Sequence, residues 1–349
     1  MKKRATAIAT ALSVLVCGSP LLIGCSSFRG NSAFENALEK QNKGDYSGAV
    51  SNYNTGIEIN PNNSIAYNNR GTAKYKLGDN SGAISDYNKA ILIDPKYVDA
   101  YYNRGIAKEN SQDYSGAISD YDKAIELDPE YVDAYVNRGL AKIKLGDNSG
   151  GISDFNKVIM IIPNYAEAFY NRGIAKKRLG DYSEAISDYS KAIEINRKYT
   201  EAYVNRGTTK DDLGDYSGAI SDYDKAIELN PNFAQIYYNR GNTKDNLGDD
   251  SGAISDYDKA IELDPNFAQA YYNRGLSNVK LGYLQDVCSD WKKALSLGYE
   301  YAGILIIEYC QWVWIIDFLD YLSMNLQELN SLTYFIKRRN SFYSYQHCL

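Results

Sequence analysis

The chain has 349 residues, with 38 basic and 44 acidic side chains and a formal charge of −6; this is enough for two ordinary domains or one extended array. Mild acidity without any long basic run argues against nucleic acid as a partner. A single histidine, His347, and five cysteines without a CxxC or Cys/His spacing argue against a zinc site and against a histidine-assisted nucleophile, so no metal, cofactor or small-molecule substrate is expected.

Residues 1–24 read as an export signal. Lys2, Lys3 and Arg4 supply the positive end, and without them the balance is 35 basic against 44 acidic residues. Ala5 to Val16 is an apolar, small-residue stretch too short to be a convincing membrane span. Leu22-Ile23-Gly24-Cys25 follows, then Ser26 and Ser27. This run resembles the lipobox of bacterial lipoproteins, although Ile23 is a less common choice at its place. In that family the cysteine is acylated and becomes the mature N-terminus. The resemblance implies attachment to a membrane through Cys25, with residues 25–31 as a lipidated polar linker. Each buried acyl methylene would contribute about 0.8 kcal/mol. Ser26, where aspartate would resemble an inner-membrane retention signal, leaves the outer membrane open as a destination beside the periplasm-facing plasma membrane. A plain cleaved signal with an incidental Cys25 and an uncleaved signal anchor are the other readings of this segment.

From about residue 30 to residue 301 the chain is periodic. Asn-Arg-Gly recurs seven times at intervals of 34 residues, from Asn69-Arg70-Gly71 to Asn273-Arg274-Gly275. A strict period of this length means one supersecondary unit stacked many times. Within Ser64 to Tyr97, apolar spacing predicts a first helix over 66–77, carrying Tyr67, Gly71 and Leu77. It predicts a second over 82–93, carrying Ala83, Ile84, Tyr87, Ala90 and Ile91. Gly78 is placed to end the first helix and Asp79 to cap the second. Asp94-Pro95 stops the second helix, because proline cannot continue the ladder.

The spacing of Tyr67, Gly71, Gly78, Ala83, Tyr87, Ala90 and Pro95 resembles the tetratricopeptide repeat, a helix–turn–helix of 34 residues. Eight units are expected, starting near Gly30, Ser64, Val98, Val132, Ala166, Thr200, Ala234 and Ala268. The resemblance implies an all-α, right-handed superhelical solenoid. Its concave face, lined by the first helices, commonly binds extended peptides or partner helices in that family. Departures fall at Ala33 and Ala37 of the first unit, at Gly151, at Arg197 in place of the stopping proline, and at Trp291 of the eighth.

Three residue columns carry predictions. Glycine in mid-helix costs about 1 kcal/mol relative to alanine, so Gly71 and its equivalents are expected to admit a close helix approach beside Ala83- and Ala90-type residues and Tyr87-type rings. The arginines from Arg70 to Arg274 and the aspartates from Asp86 to Asp290 recur together, and the first unit lacks both, carrying Asn36 and Asn52. They are expected to pair across the two helices of each unit, with solvated surface charges as the alternative. Asn69, Asn103, Asn137, Asn171, Asn205, Asn239 and Asn273 fall in a column similar to the asparagine ladder of the O-linked N-acetylglucosamine transferase repeats. That similarity implies amides holding a bound peptide's backbone; bridging of neighbouring helices is the alternative. Beside it Tyr102, Tyr170, Tyr238 and Tyr272 give an aromatic lining. Lys144, Lys177 and Arg178 suggest a basic zone, and Asp211, Asp212 and Asp245 an acidic one, which would suit a partner with an acidic and a basic stretch.

Residues 299–310 are expected to form a capping helix, with Cys288 and Cys310 either disulfide-bonded or a pair of buried thiols. Residues 311–349 form a non-repeat apolar tail, including Trp312, Trp314, Ile315 and Phe318 and later the basic run Lys337-Arg338-Arg339. The tail reads as a packed helix, a membrane-surface or partner-docking segment, or a non-native extension. The functional expectation is a lipid-anchored, non-enzymatic scaffold that binds proteins or extended peptides at a bacterial membrane. An assembly lipoprotein for pilus, secretin or outer-membrane proteins is the narrower alternative, and an accessory unit of an enzyme the more distant one.

Overall fold

The computed structural model describes residues 22–284 and 286–310. The expected export signal up to residue 21 and the tail 311–349 lie outside the described residues. All regular structure in the described residues is helical. Eight helical pairs follow in order: α1 (Leu22–Asn42) with α2 (Tyr46–Ile59), α3 (Ser64–Lys76) with α4 (Asn80–Ile93), α5 (Val98–Asn110) with α6 (Tyr114–Leu127), and α7 (Val132–Lys144) with α8 (Asn148–Ile161). Then come α9 (Ala166–Arg178) with α10 (Tyr182–Ile195), α11 (Thr200–Asp212) with α12 (Tyr216–Leu229), α13 (Ala234–Leu247) with α14 (Asp250–Leu263), and α15 (Ala268–Leu281) with α16 (Val287–Ser296). The segment expected as a cap holds α17 (Tyr301–Leu305) followed by a π-helical segment, Ile306–Cys310. Residues 25–31, expected as a linker, are instead helical and continuous with α1. The chain divides into two compact units, one ending at Lys157 and one starting at Val158.

The turns follow from local chemistry. Gly78 has φ +84°, and Asp79 caps α4 by accepting from the Gly82 amide at 2.8 Å. The same cap recurs at Asp45, Asp113, Asp147, Asp215 and Asp249. Gln112 is the exception in this column, a side-chain-bearing residue at φ 63° where the other turns use glycine. The core is built of alanines and aromatic rings: Ala83, Ala117, Ala185, Ala219 and Ala253 are fully buried, as are Tyr121, Phe155 and Tyr189. Mid-helix glycine serves the ring more than the alanines. A Cβ on Gly105 would lie 2.6 Å from Tyr121 Cε1. At Gly139 the opposing ring is Phe155, which leaves 3.1 Å to Cζ.

The arginine and aspartate columns do pair across the helices of each unit. In all seven pairs the Arg Nη2 lies 2.5 Å from its Asp, as in Arg70–Asp86 and Arg274–Asp290. Nε donates to the other carboxylate oxygen, at 2.9 Å for Arg104–Asp120, so the contact is bidentate. A lysine four residues after the arginine completes the site, with Lys142 Nζ 2.9 Å from Asp154. The third arginine nitrogen reaches further, to the second helix of the preceding repeat: Arg70 to Asn54 at 2.7 Å, Arg138 to Asp122 at 2.6 Å, Arg206 to Ser190 at 3.0 Å, and Arg240 to Asp224. The guanidinium also lies over the aromatic ring three residues before it, 5.3 Å away for Arg138 and Tyr135. One side chain thus joins three helices. The last repeat has Asn278 in the lysine's place, and burial raises the Asp290 carboxyl above its ordinary value despite Arg274.

Two stability outcomes follow. Asp154 is 2% exposed, and its loss takes the partner from Lys142 and leaves Arg138 only the exposed Asp122. Asp154→Ala should therefore cost about 3 kcal/mol, whereas Glu130→Ala, at an exposed site, should leave the denaturant midpoint unchanged. In the glycine column, Gly105→Ala should destabilise by about 1–3 kcal/mol through overpacking, and Gly139→Ala should be near neutral; equal midpoints for the two would contradict the ring-contact account.

Candidate functional site

The candidate residues lie on the first helices. Tyr102, Tyr170, Tyr238 and Tyr272 are half-buried, and each ring sits against an aromatic that opens the next repeat or the cap. The centroid separations are 4.9 Å for Tyr102–Tyr131, 4.8 Å for Tyr170–Tyr199, 4.7 Å for Tyr238–Phe267 and 4.8 Å for Tyr272–Tyr299. On the inner side Tyr102, Tyr170 and Tyr238 also meet the core tyrosines, as Tyr170 does Tyr189 at 6.0 Å. Burial raises the Tyr170 and Tyr272 hydroxyl pKa values, and it pushes Tyr87 and Tyr223 in the core up to about 12. These phenols are neutral at physiological pH, so each hydroxyl can donate one hydrogen bond as well as accept.

Those hydroxyls accept from the asparagine column. Asn137 Nδ2 donates to Tyr102 at 3.0 Å, Asn205 to Tyr170 at 2.8 Å, and Asn273 to Tyr238 at 3.2 Å. Asn103 donates in the same way to Asn68, which stands at the tyrosine position of its repeat, at 3.0 Å. The intervening repeats carry Val136 and Val204, so the tyrosine–asparagine bond recurs with alternate repeats. Asn239 accepts from Gln235 at 2.8 Å, Asn69 accepts from Asn68 at 3.3 Å, and Asn171 is buried. The column therefore bridges neighbouring first helices. Where an amide donates to a tyrosine, its NH2 is fixed toward the preceding repeat, and its carbonyl oxygen keeps lone pairs for another donor.

The charged residues are arranged differently from the expected separate zones. Lys177 pairs with Asp212 at 2.9 Å, so one member of each zone neutralises the other. Asp245 is held by Lys280 at 2.8 Å, and Lys280 also lies 3.2 Å from Asp250. The Tyr189 hydroxyl and Asp211 Oδ1 are buried without a hydrogen-bond partner. For Tyr189 the cause is local: Ile174 stands where Thr72 and Thr208 serve Tyr87 and Tyr223. The sequence reading missed the lysine column from Lys74 to Lys244 that completes each aspartate site. The signal was present as a further 34-residue recurrence, four positions after each arginine.

No helix among the described residues is long and apolar enough to cross a membrane. Among curated proteins none matches the chain significantly. Among solved structures, a tetratricopeptide repeat protein from Parabacteroides merdae is 22% identical, with a TM-score of 0.54, over 72% of this chain and 99% of its own. The C-terminal part of a TPR repeat-containing protein from Cytophaga hutchinsonii is 20% identical, with a TM-score of 0.59, over 69% of this chain and 98% of its own. MamA is 28% identical, with a TM-score of 0.47, over 51% of this chain and 96% of its own. The profile described as TPR repeat matches residues 42–78, 71–112, 110–146, 212–248 and 246–282. Profiles described as tetratricopeptide repeat match 132–165 and 166–199. With these matches extending over more than half of its length, on helical pairs of the corresponding kind, the chain belongs to the tetratricopeptide repeat family.

Proposed function

We propose that this protein is an exported, lipid-anchored scaffold whose first-helix face binds an extended segment of a partner protein. The fold is one typical of protein and peptide binding rather than catalysis. The observation that carries the binding reading is the orientation of amides by tyrosine hydroxyls within the second compact unit, Asn205 on Tyr170 and Asn273 on Tyr238; the first compact unit has the same arrangement in Asn137 on Tyr102. Their carbonyl oxygens suit the N–H groups of an extended chain, and the half-buried tyrosines beside them suit its apolar or aromatic side chains. The internal pairing of Lys177–Asp212 and Lys280–Asp245 removes the argument for a partner divided into acidic and basic stretches. The anchor reading is supported by the order of Lys2-Lys3-Arg4, the apolar run and Leu22-Ile23-Gly24-Cys25.

In-cell crosslinking with identification of captured proteins tests the binding face. Changing Asn205, Asn239 and Asn273 together to alanine should reduce capture at least tenfold. Unchanged capture by a variant with an unchanged unfolding midpoint would remove these asparagines from the binding face. Labelling cells with a fatty-acid analogue tests the anchor. Wild-type chain should take up label and Cys25→Ser should not, and an unlabelled wild type would end the lipoprotein reading.

A further inference from the structure

At the junctions that follow Tyr102, Tyr170 and Tyr238, the first helix of the following repeat is seated by three devices. An aromatic at its start stacks on the preceding repeat, as Phe267 does on Tyr238. An alanine three residues later is fully buried, as Ala270 is. An arginine four residues after that reaches back to the preceding second helix, as Arg274 does to Asp258 at 2.5 Å. Tyr199, Ala202 and Arg206 do the same one junction earlier but one, with Ser190 as the acceptor.

The terminal cap keeps the first two devices and lacks the third. Tyr299 stacks on Tyr272, and Ala302 is fully buried. Four residues after Ala302 stands Ile306, which has no cationic group, and Lys292 occupies the position of Asp258 and Asp224. At this joint a disulfide takes the staple's place. Cys288, in the column that Ile186, Ile220 and Ile254 occupy in earlier repeats, is bonded to Cys310 with 5.6 Å between the Cα atoms. Cys310 is the last residue of the cap's π-helical segment, so the bond ties the far end of the cap to the start of α16.

We propose that the Cys288–Cys310 disulfide is a redox latch on the terminal cap, and that its reduction by a thiol releases residues 299–310 from the last repeat. A dithiol reductant delivers two electrons and two protons to the S–S bond. Cys288 and Cys310 become thiols while the reductant closes its own disulfide, and a disulfide oxidant reverses the exchange. The remaining hold on the cap is apolar. It consists of the Tyr299 stack, the Ala302 seat, the half-buried Leu305 and Ile306 on the same cluster, and an edge contact of Tyr309 on Trp291 at 5.5 Å. Tyr301, Ile304 and Ile307 face solvent and add nothing to it. Segments this short do not hold helical structure unaided. The bond closes a separation of 22 residues, and its loss should raise the cap's opening equilibrium on the order of 100-fold. Release uncovers the end face that includes Tyr272, Leu276 and Val279, which pack in the cluster around Trp291 and Ala302.

Hydrogen–deuterium exchange of the full chain, oxidised and then treated with dithiothreitol, tests the latch. The amides of residues 300–310 should exchange on the order of 100-fold faster in the reduced protein, while those of α13 and α14 keep their protection. Cys310→Ser should show the fast cap without reductant and no response to it. Equal protection of the cap in both redox states would overturn the proposal. So would acceleration spread evenly through the repeats, which would make the bond a general brace.

Discussion

The buried arginine–aspartate contact is the constraint on which the repeats depend. The aspartate is almost wholly inaccessible, so its charge must be compensated inside the protein. Arginine and lysine supply that compensation from the facing helix, and the planar guanidinium admits one approach to the carboxylate. A hydrophobic contact of the same area would allow the two helices to slide or rotate by small amounts. A bidentate pair in a dry setting does not, because a partial shift leaves a charge exposed to low dielectric without its partner. The third nitrogen, spent on the preceding second helix, extends the same requirement to the junction. Helix pairing and repeat stacking are therefore set by one side chain per repeat.

The candidate binding face follows from that constraint. Successive residues on an α-helix are separated by about 100°. Once Arg206 is turned onto Asp222, Asn205 immediately before it is carried to the junction with the preceding first helix, where Tyr170 receives it. The residue two before each arginine, tyrosine or valine except for Asn68, is placed by the same rotation. Aromatic rings over the guanidinium, such as Tyr203 at 5.6 Å from Arg206, occupy the remaining side and block the opposite turn. The asparagine row is thus oriented by a contact that lies on the other flank of the helix. The alternation of tyrosine and valine then decides which of its amides are fixed.

What was legible in the sequence was whatever repeats at one offset within a unit. The Gly78 turn, the Asp79 cap, the Gly71 contact and the Arg70–Asp86 pair all join residues at fixed short separations, and their recurrence every 34 residues exposes them. The contacts between units were not legible in that way. Asn137 to Tyr102 and Lys177 to Asp212 join positions 35 apart, which is one period plus one residue. A reading by columns places such partners in different columns and sees two unrelated features. The acidic and basic zones were inferred for that reason, and only the packing of adjacent first helices shows that their members meet. Gly151 is a related case: a Cβ there would lie 2.7 Å from Ile143 Cγ1, so the glycine leaves the space that the buried Ile143 side chain occupies.

The ends of the array obey the same logic. Only a repeat preceded by a second helix can use the arginine's third nitrogen. Among the described residues no helical pair precedes α1, and Asn36 stands in the arginine's column with Asn52 opposite. The eighth repeat has a predecessor and keeps Arg274, but the lysine is replaced by Asn278 and the Asp290 carboxyl is less well compensated. Beyond it the cap offers no arginine at all. A first helix without that staple has only apolar contacts to fix its position, and these resist sliding poorly over so short a segment. A covalent bond supplies what the missing ion pair would have supplied, a single allowed register, and it makes that register depend on electrons instead of charge.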